Sequence, residues 1–191
     1  MQSLLTAAKL FFILFVLTGL IYPFAVLLVA NTAFPHQTHG SLILNESGTI
    51  IGSSLIGENF TLPRYFQGRP SATPYSQDNA SNSGGSNLGP TNPLLLEQVT
   101  SRVKSLRSYG ISGPIPSDIV MTSASGLDPH ISLEAALLQV PIIARERKIN
   151  ESRIQDLVMK ETEWNPIPFG QPYVNVLSLN QALDRSLGEG T

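Results

Sequence analysis

Cysteine is absent from all 191 residues. The chain can form no disulfide, no thiolate zinc site and no thiol nucleophile, so its stability must come from packing. Basic side chains are sparse as well. The 12 Lys and Arg stand against 14 Asp and Glu, a formal charge of −2, and are scattered without the basic stripe that a phosphate backbone requires. Nucleic acid is therefore not an expected partner. The three histidines, His36, His39 and His130, form no HExxH pair and have no closely spaced carboxylates, so no metal site is expected. No GxxxxGK[ST] phosphate loop, GxGxxG fingerprint or GxSxG elbow occurs either. These absences leave no catalytic residue to assign from motifs.

What is present is an apolar run. Leu10 to Ala30 reads LFFILFVLTGLIYPFAVLLVA without one charged side chain, and at 1.5 Å per residue it spans about 30 Å as a helix, the depth of a bilayer core. Its fifteen Leu, Ile, Phe and Val side chains contribute on the order of −6 kcal/mol to insertion. A cleaved signal peptide has a shorter apolar core and an A-x-A-like site, which VANTAF lacks. Lys9 precedes the run and no Lys or Arg follows until Arg64. By the positive-inside rule, residues 1–9 are then cytoplasmic, 10–34 form the transmembrane helix, and 35–191 form an extracytoplasmic, periplasmic domain. Within the span, Pro23 has no N–H to give the Gly19 carbonyl, so a kink or loosened turn is expected there. Gly19 opens a flat surface and the Tyr22 hydroxyl needs a partner in hydrocarbon, which makes Gly19, Tyr22 and Pro23 the candidate contact with a partner helix.

Beyond Pro35 the pattern turns to short segments. Ser41–Leu44 and Thr49–Gly57 read as a β-hairpin turning at Asn45 to Gly48, and Phe60 to Phe66 as a short strand or loop. Ser71 to Pro93 is irregular and rich in Ser, Asn, Gly and Pro, with Gly84-Gly85 able to admit close backbone approach. Asn92 and Pro93 open a helix to Tyr109, closed by Gly110. Ser132 caps a second helix with Pro141 expected to kink it, and Asn150 opens a third. After the loop WNPIPFGQP come a strand at Tyr173 to Leu177 and a final helical turn or two. Strands first and helices later imply an α+β domain carried by one N-terminal transmembrane helix.

One cluster bears on chemistry. Thr122 to Ser132 brings Ser123, Ser125, Asp128 and His130 close in sequence, and a membrane-anchored periplasmic hydrolase using Ser125, Asp128 and His130 is the alternative it raises. Sequence proximity does not juxtapose a triad, and a Gly-containing turn before the Ser132 helix explains the residues as well. Arg64 and Arg69 flank YFQG, where an anion or a surface salt bridge could be held. Asn45, Asn59, Asn79 and Asn150 match the N-x-[ST] pattern, at a frequency that chance explains in so Asn- and Ser-rich a chain.

In order, the strings TGLIYPF, GSLI, GSSLIGENF, YFQGRPSAT, SGGSNLGPTNP, TSASGLDPHIS, ALLQVPIIARER and GQPYVNVLSLNQALD resemble the C subunit of the Kdp-type potassium-transporting ATPases, from about Thr18 to Asp184. The resemblance implies a non-catalytic subunit of a bacterial inner-membrane complex for high-affinity potassium uptake. Its partners would be a channel-like potassium-translocating subunit and a P-type ATPase subunit, whose assembly and activity it supports. The family is also described as a catalytic chaperone that raises the ATP affinity of the ATPase subunit, so ATP is expected through that partner and no cofactor-binding residue is assigned. With the domain outside, cytoplasmic ATP cannot touch it, and such an effect must pass through the membrane helices. The phosphorylation sequence DKTGT is missing, so this chain is not the ATPase subunit, and one helix cannot build a potassium filter.

Overall fold

The computed structural model describes residues 2–45, 47–73, 82–164 and 170–187. The chain divides into two compact units, Met1–Leu42 and Ile43–Thr191.

The first unit is a helix. Gln2–Ala33 runs for 32 residues, long and apolar enough to cross a membrane; at 1.5 Å per residue it is about 48 Å long, more than the bilayer core demands. It consists of α1 (Gln2–Val16), a π-turn at Leu17–Ile21 and α2 (Tyr22–Ala33), followed by the short α3 (Pro35–Thr38). No side chain in α1 or α2 is buried. Its polar side chains bond back to their own helix: Thr18 donates to the Leu14 carbonyl at 2.7 Å, Asn31 to Leu27 at 3.0 Å and Thr32 to Leu28 at 3.0 Å. Such pairing lets a helix carry hydroxyls and amides without a hydrogen-bonding solvent.

In the second unit the expected hairpin is present, with β1 (Leu42–Leu44) against β2 (Ile50–Ser53). Asn45 makes the turn: its side chain accepts from the Thr49 N–H at 2.8 Å and its carbonyl from the Gly48 N–H at 3.0 Å, while Gly48 takes φ 79°. A three-stranded antiparallel sheet of order β3-β5-β4 joins β3 (His130–Ser132), β5 (Tyr173–Asn175) and β4 (Thr162–Glu163). Ile131 and Thr162 both register with Val174 on the central strand. The helices are α4 (Pro93–Ser108), α5 (Leu133–Arg147), α6 (Glu151–Glu161) and α7 (Val176–Leu187). Each of the first three starts where a cap was legible, with the Asn92, Ser132 and Asn150 side chains accepting from Leu94, Ala135 and Ser152. Ile131, Val140, Ile143, Ile154, Val158, Val174, Leu179 and Leu183 form the core between the sheet and α5 to α7. The unit is therefore mixed helix and sheet.

Three details differ from the sequence expectations. The strand at Tyr173 stops at Asn175, because the Asn175 side chain accepts from the Ser178 N–H at 3.1 Å and opens a helix there. The final helical turn or two is instead the twelve-residue α7, whose Leu179 and Leu183 are fully buried. Strand β3 was read as a turn, since three residues are too few to display a period and only pairing with β5 makes them a strand. Pro141 lies inside α5 as expected, on its exposed side, where water can satisfy the carbonyl that proline leaves without an intrahelical donor. Parts of the Ser71 to Pro93 segment, most of the WNPIPFGQP loop and Asn79 lie outside the described residues.

Candidate partner-binding site

Proline dictates the geometry of the apolar helix. Lacking an N–H, Pro23 cannot close the α-helical ladder, and the helix widens ahead of it: the Tyr22 N–H bonds the Leu17 carbonyl, five residues back, in the π-turn Leu17–Ile21. The loosened turn expected from Gly19 and Pro23 takes this form. Gly19 sits within it, and a Cβ built there would lie 3.8 Å from the Phe15 ring, an ordinary contact. The helix therefore has a shallow notch at Gly19, bordered on one side by the Phe15 ring. Among the described hydrogen bonds none reaches the Tyr22 hydroxyl, and the Tyr22 side chain is exposed. Notch, proline and tyrosine lie within five residues, where a neighbouring helix could approach closely.

In the second unit, the loop Arg64–Gly68 is held by three polar side chains on the core faces of two helices. Gln139 of α5 accepts from the Gln67 N–H at 2.8 Å and donates to the Gln67 carbonyl at 3.1 Å. Asn180 of α7 does the same for Phe66, at 2.8 and 2.9 Å. Two side-chain amides thus stand in for a paired strand, satisfying buried backbone that an irregular loop would otherwise leave bare. Arg147 completes the clamp. Its side chain is fully buried, donates to the Arg64 carbonyl at 2.8 Å and to Asp184 at 2.6 Å, and lies 4.8 Å from the centre of the Tyr65 ring. The Tyr65 hydroxyl donates to the other Asp184 oxygen at 3.0 Å. Phe66 is pinned between them with no exposed surface.

Ser125, Asp128 and His130 do not form a triad. The Ser125 hydroxyl accepts from the Leu127 N–H at 3.1 Å, and no described hydrogen bond joins Ser125 to His130. The His130 ring instead sits 3.6 Å from Asp128 and packs edge-on to Tyr173. Asp128 also accepts from the His130 N–H at 3.0 Å and from Arg69 at 2.9 Å, so Arg69 meets the salt-bridge expectation. The Gly-containing turn accounts for this cluster. Gly126, at φ 69°, has no space for a Cβ, which would meet the Gly84 carbonyl at 2.6 Å. The Gly84 N–H in turn donates to the Ser125 carbonyl at 2.8 Å, so the close approach expected at Gly84-Gly85 is to this chain's own backbone. His36 and His39 are exposed, with the His39 ring against the Pro35 carbonyl at 2.6 Å.

Burial pushes the Asp128 carboxyl up, but hydrogen bonds from His130 and the Arg69 guanidinium outweigh it and hold the pKa below the usual carboxylate range. A depressed folded pKa gives stability that is present above the unfolded value and lost as pH falls through the folded one. Asp128→Asn is therefore expected to lower the melting temperature at pH 7. The gap to the parent chain should close below about pH 4, where carboxylates begin to protonate. Thermal unfolding at a series of pH values checks this; a gap independent of pH would contradict it.

Gln139, Arg147 and Asn180 were not singled out from the sequence. A signal was available, because each is a polar residue on a helix stripe whose neighbours, Val140, Ile143 and Leu183, are apolar.

Residues 4–185 match the family model described as KdpC: K+-transporting ATPase, c chain. The "Potassium-transporting ATPase KdpC subunit" of Methanosphaerula palustris is 50% identical over 182 residues, covering 95% of this chain and 96% of its own. Its namesake in Geobacter sulfurreducens is 48% identical over 185 residues, covering 96% and 98%, and that in Polaromonas naphthalenivorans 51% identical over 182 residues, covering 93% and 92%.

Proposed function

Because the chain belongs to the KdpC family of K+-transporting ATPase subunits, we propose that it is a non-catalytic accessory subunit that supports assembly and activity of its pump. The partners are the channel-like potassium-translocating subunit and the P-type ATPase subunit. The helix Gln2–Ala33 anchors it as a single span in the inner membrane, with residues 1–9 cytoplasmic and residues from 35 onward periplasmic. Gly19, Tyr22 and Pro23 form the contact with partner helices.

What supports this reading is the notch at Gly19 beside an exposed Tyr22 hydroxyl that no described hydrogen bond reaches, in a span with no buried side chain. In lipid, such a surface gains by packing against another helix, because close approach supplies dispersion contacts and hydrogen-bond partners that acyl chains cannot. Any rise in the ATP affinity of the ATPase subunit is then indirect, a coupling free energy passed through packed helices. A π-turn suits that role, since such single-turn bulges inside α-helices are frequent at functional sites.

Affinity purification of the tagged chain from detergent-solubilised membranes tests the proposal. Both pump subunits are expected in the eluate; a chain that elutes alone, from membranes with an active pump, would contradict it.

A further inference from the structure

A groove of about 530 Å³ lies between α4 and the loop 67–73, lined among others by Gln67, Arg69, Arg102, Ser105 and Leu106. Its charges are unevenly matched. Arg69 is paired with Asp128 at 2.9 Å. The Glu58 carboxyl, also on the lining, is drawn toward the β1-β2 hairpin, where its Oε1 would lie 3.5 Å from a Cβ on Gly52. Arg102 is different. It is half-buried, and among the described residues its one hydrogen bond goes to the Val120 carbonyl at 2.8 Å and no carboxylate lies within ion-pair distance. Burial pushes its pKa down with no neighbouring charge to offset the effect. A guanidinium has five donors and prefers bidentate carboxylate, so most of its capacity is unused here. The neighbouring groove of about 580 Å³ against α7 also carries an arginine, Arg185, but that side chain is exposed, where water screens its charge, and the groove's carboxylate, Asp184, pairs with Arg147.

We infer that this groove receives an acidic side chain from an extramembrane segment of a partner subunit, with Arg102 as the residue that pairs with it. The inference rests on the accessory-subunit reading and adds the chemistry of the contact. Charge complementarity identifies the occupant: a half-desolvated cation at the wall of an open groove is stabilised by a carboxylate brought in by the partner, and the pairing fixes docking register. Ser105 lies one turn from Arg102 on α4 and is exposed, so its hydroxyl is placed to share the same carboxylate.

The chain has no cysteine, so Ser105→Cys gives a single labelling site for a photo-crosslinker in the assembled complex. Mass spectrometry is expected to recover a partner peptide containing Asp or Glu. In parallel, the NaCl concentration that releases half of the chain from the immobilised complex is measured. Arg102→Gln is expected to lower it roughly two-fold, since a single partly desolvated ion pair is removed, and Arg102→Lys should fall between the two. Ser105→Glu, which keeps Arg102 and its bond to Val120, should lower it as well and guards against a folding defect in Arg102→Gln. Crosslinks only to peptides without an acidic residue would overturn the inference. So would an unchanged release point in both Arg102→Gln and Ser105→Glu, or inorganic phosphate binding at Arg102 in the free chain with release from the complex unaffected. A chain that never co-purifies would remove the accessory-subunit reading itself, whereas normal co-purification with unchanged release removes only the groove.

Discussion

Gly19→Leu is expected to strip the chain from its complex while leaving its own helix intact. A Cβ at this position would make only an ordinary contact, 3.8 Å from the Phe15 ring, and leucine is a better helix former than glycine by roughly 0.8 to 1 kcal/mol. The substitution therefore favours the helix and fills the notch. Close packing and interhelical hydrogen bonds in membranes contribute on the order of 1 to 2 kcal/mol. Their loss corresponds to a roughly five- to thirty-fold drop in bound chain at about 1.4 kcal/mol per factor of ten. Gly19→Ala, with one methyl, should fall between. Quantitative pull-down of the pump subunits, with far-UV circular dichroism as a control for helicity, gives the answer. Full retention of partners by Gly19→Leu would place the contact elsewhere on the helix.

The largest effect on folding is expected at Arg147. Its guanidinium joins the Arg64 carbonyl, Asp184 and the Tyr65 ring while fully buried. Arg147→Ala leaves Asp184 without its cation, and breaking a fully buried pair in this way costs about 3 to 5 kcal/mol, an upper limit for a carboxylate that is 29% exposed. Against a total stability of roughly 5 to 15 kcal/mol this is a large fraction. The pair itself need not be strongly stabilising, because the buried guanidinium and the half-buried carboxylate both lose hydration. Arg147→Met combined with Asp184→Leu should therefore recover most of the loss. Urea unfolding followed by circular dichroism on the detergent-solubilised chain measures both. A loss below about 1 kcal/mol for Arg147→Ala, the size of an exposed pair, would contradict the buried network.

Legibility followed the range of the interactions involved. The apolar helix, the caps at Asn92, Ser132 and Asn150 and the Asn45 turn are specified by residues within a few positions of each other, and each was read from the sequence. So was the disturbance at Pro23, which missing donors impose on any helix, although its form as a π-turn needed coordinates. Strands β3 and β4 were not legible, because two or three residues carry no period and depend on β5 for their existence. The length of α7 was missed for a related reason: its Leu179 and Leu183 stripe is interrupted by Asn180, whose partner, Phe66, is 114 residues distant. The same separation hid the clamp. Gln139 lies 72 residues from Gln67, and Arg147 lies 83 from Arg64, so nothing local marks these side chains beyond their polarity on apolar faces. Ser125, Asp128 and His130 misled in the opposite way, since proximity in sequence served a turn and an ion pair.

The side of the membrane on which the second unit lies decides whether any influence on nucleotide affinity is direct or travels through helices. Ser83 is exposed, and Ser83→Cys provides a lone thiol in a chain without others. Labelling that thiol in intact cells with a membrane-impermeant maleimide measures the side directly. Modification before lysis is the expected result. Protection in intact cells, with labelling only after the inner membrane is permeabilised, would put the unit in the cytoplasm and contradict the proposed topology.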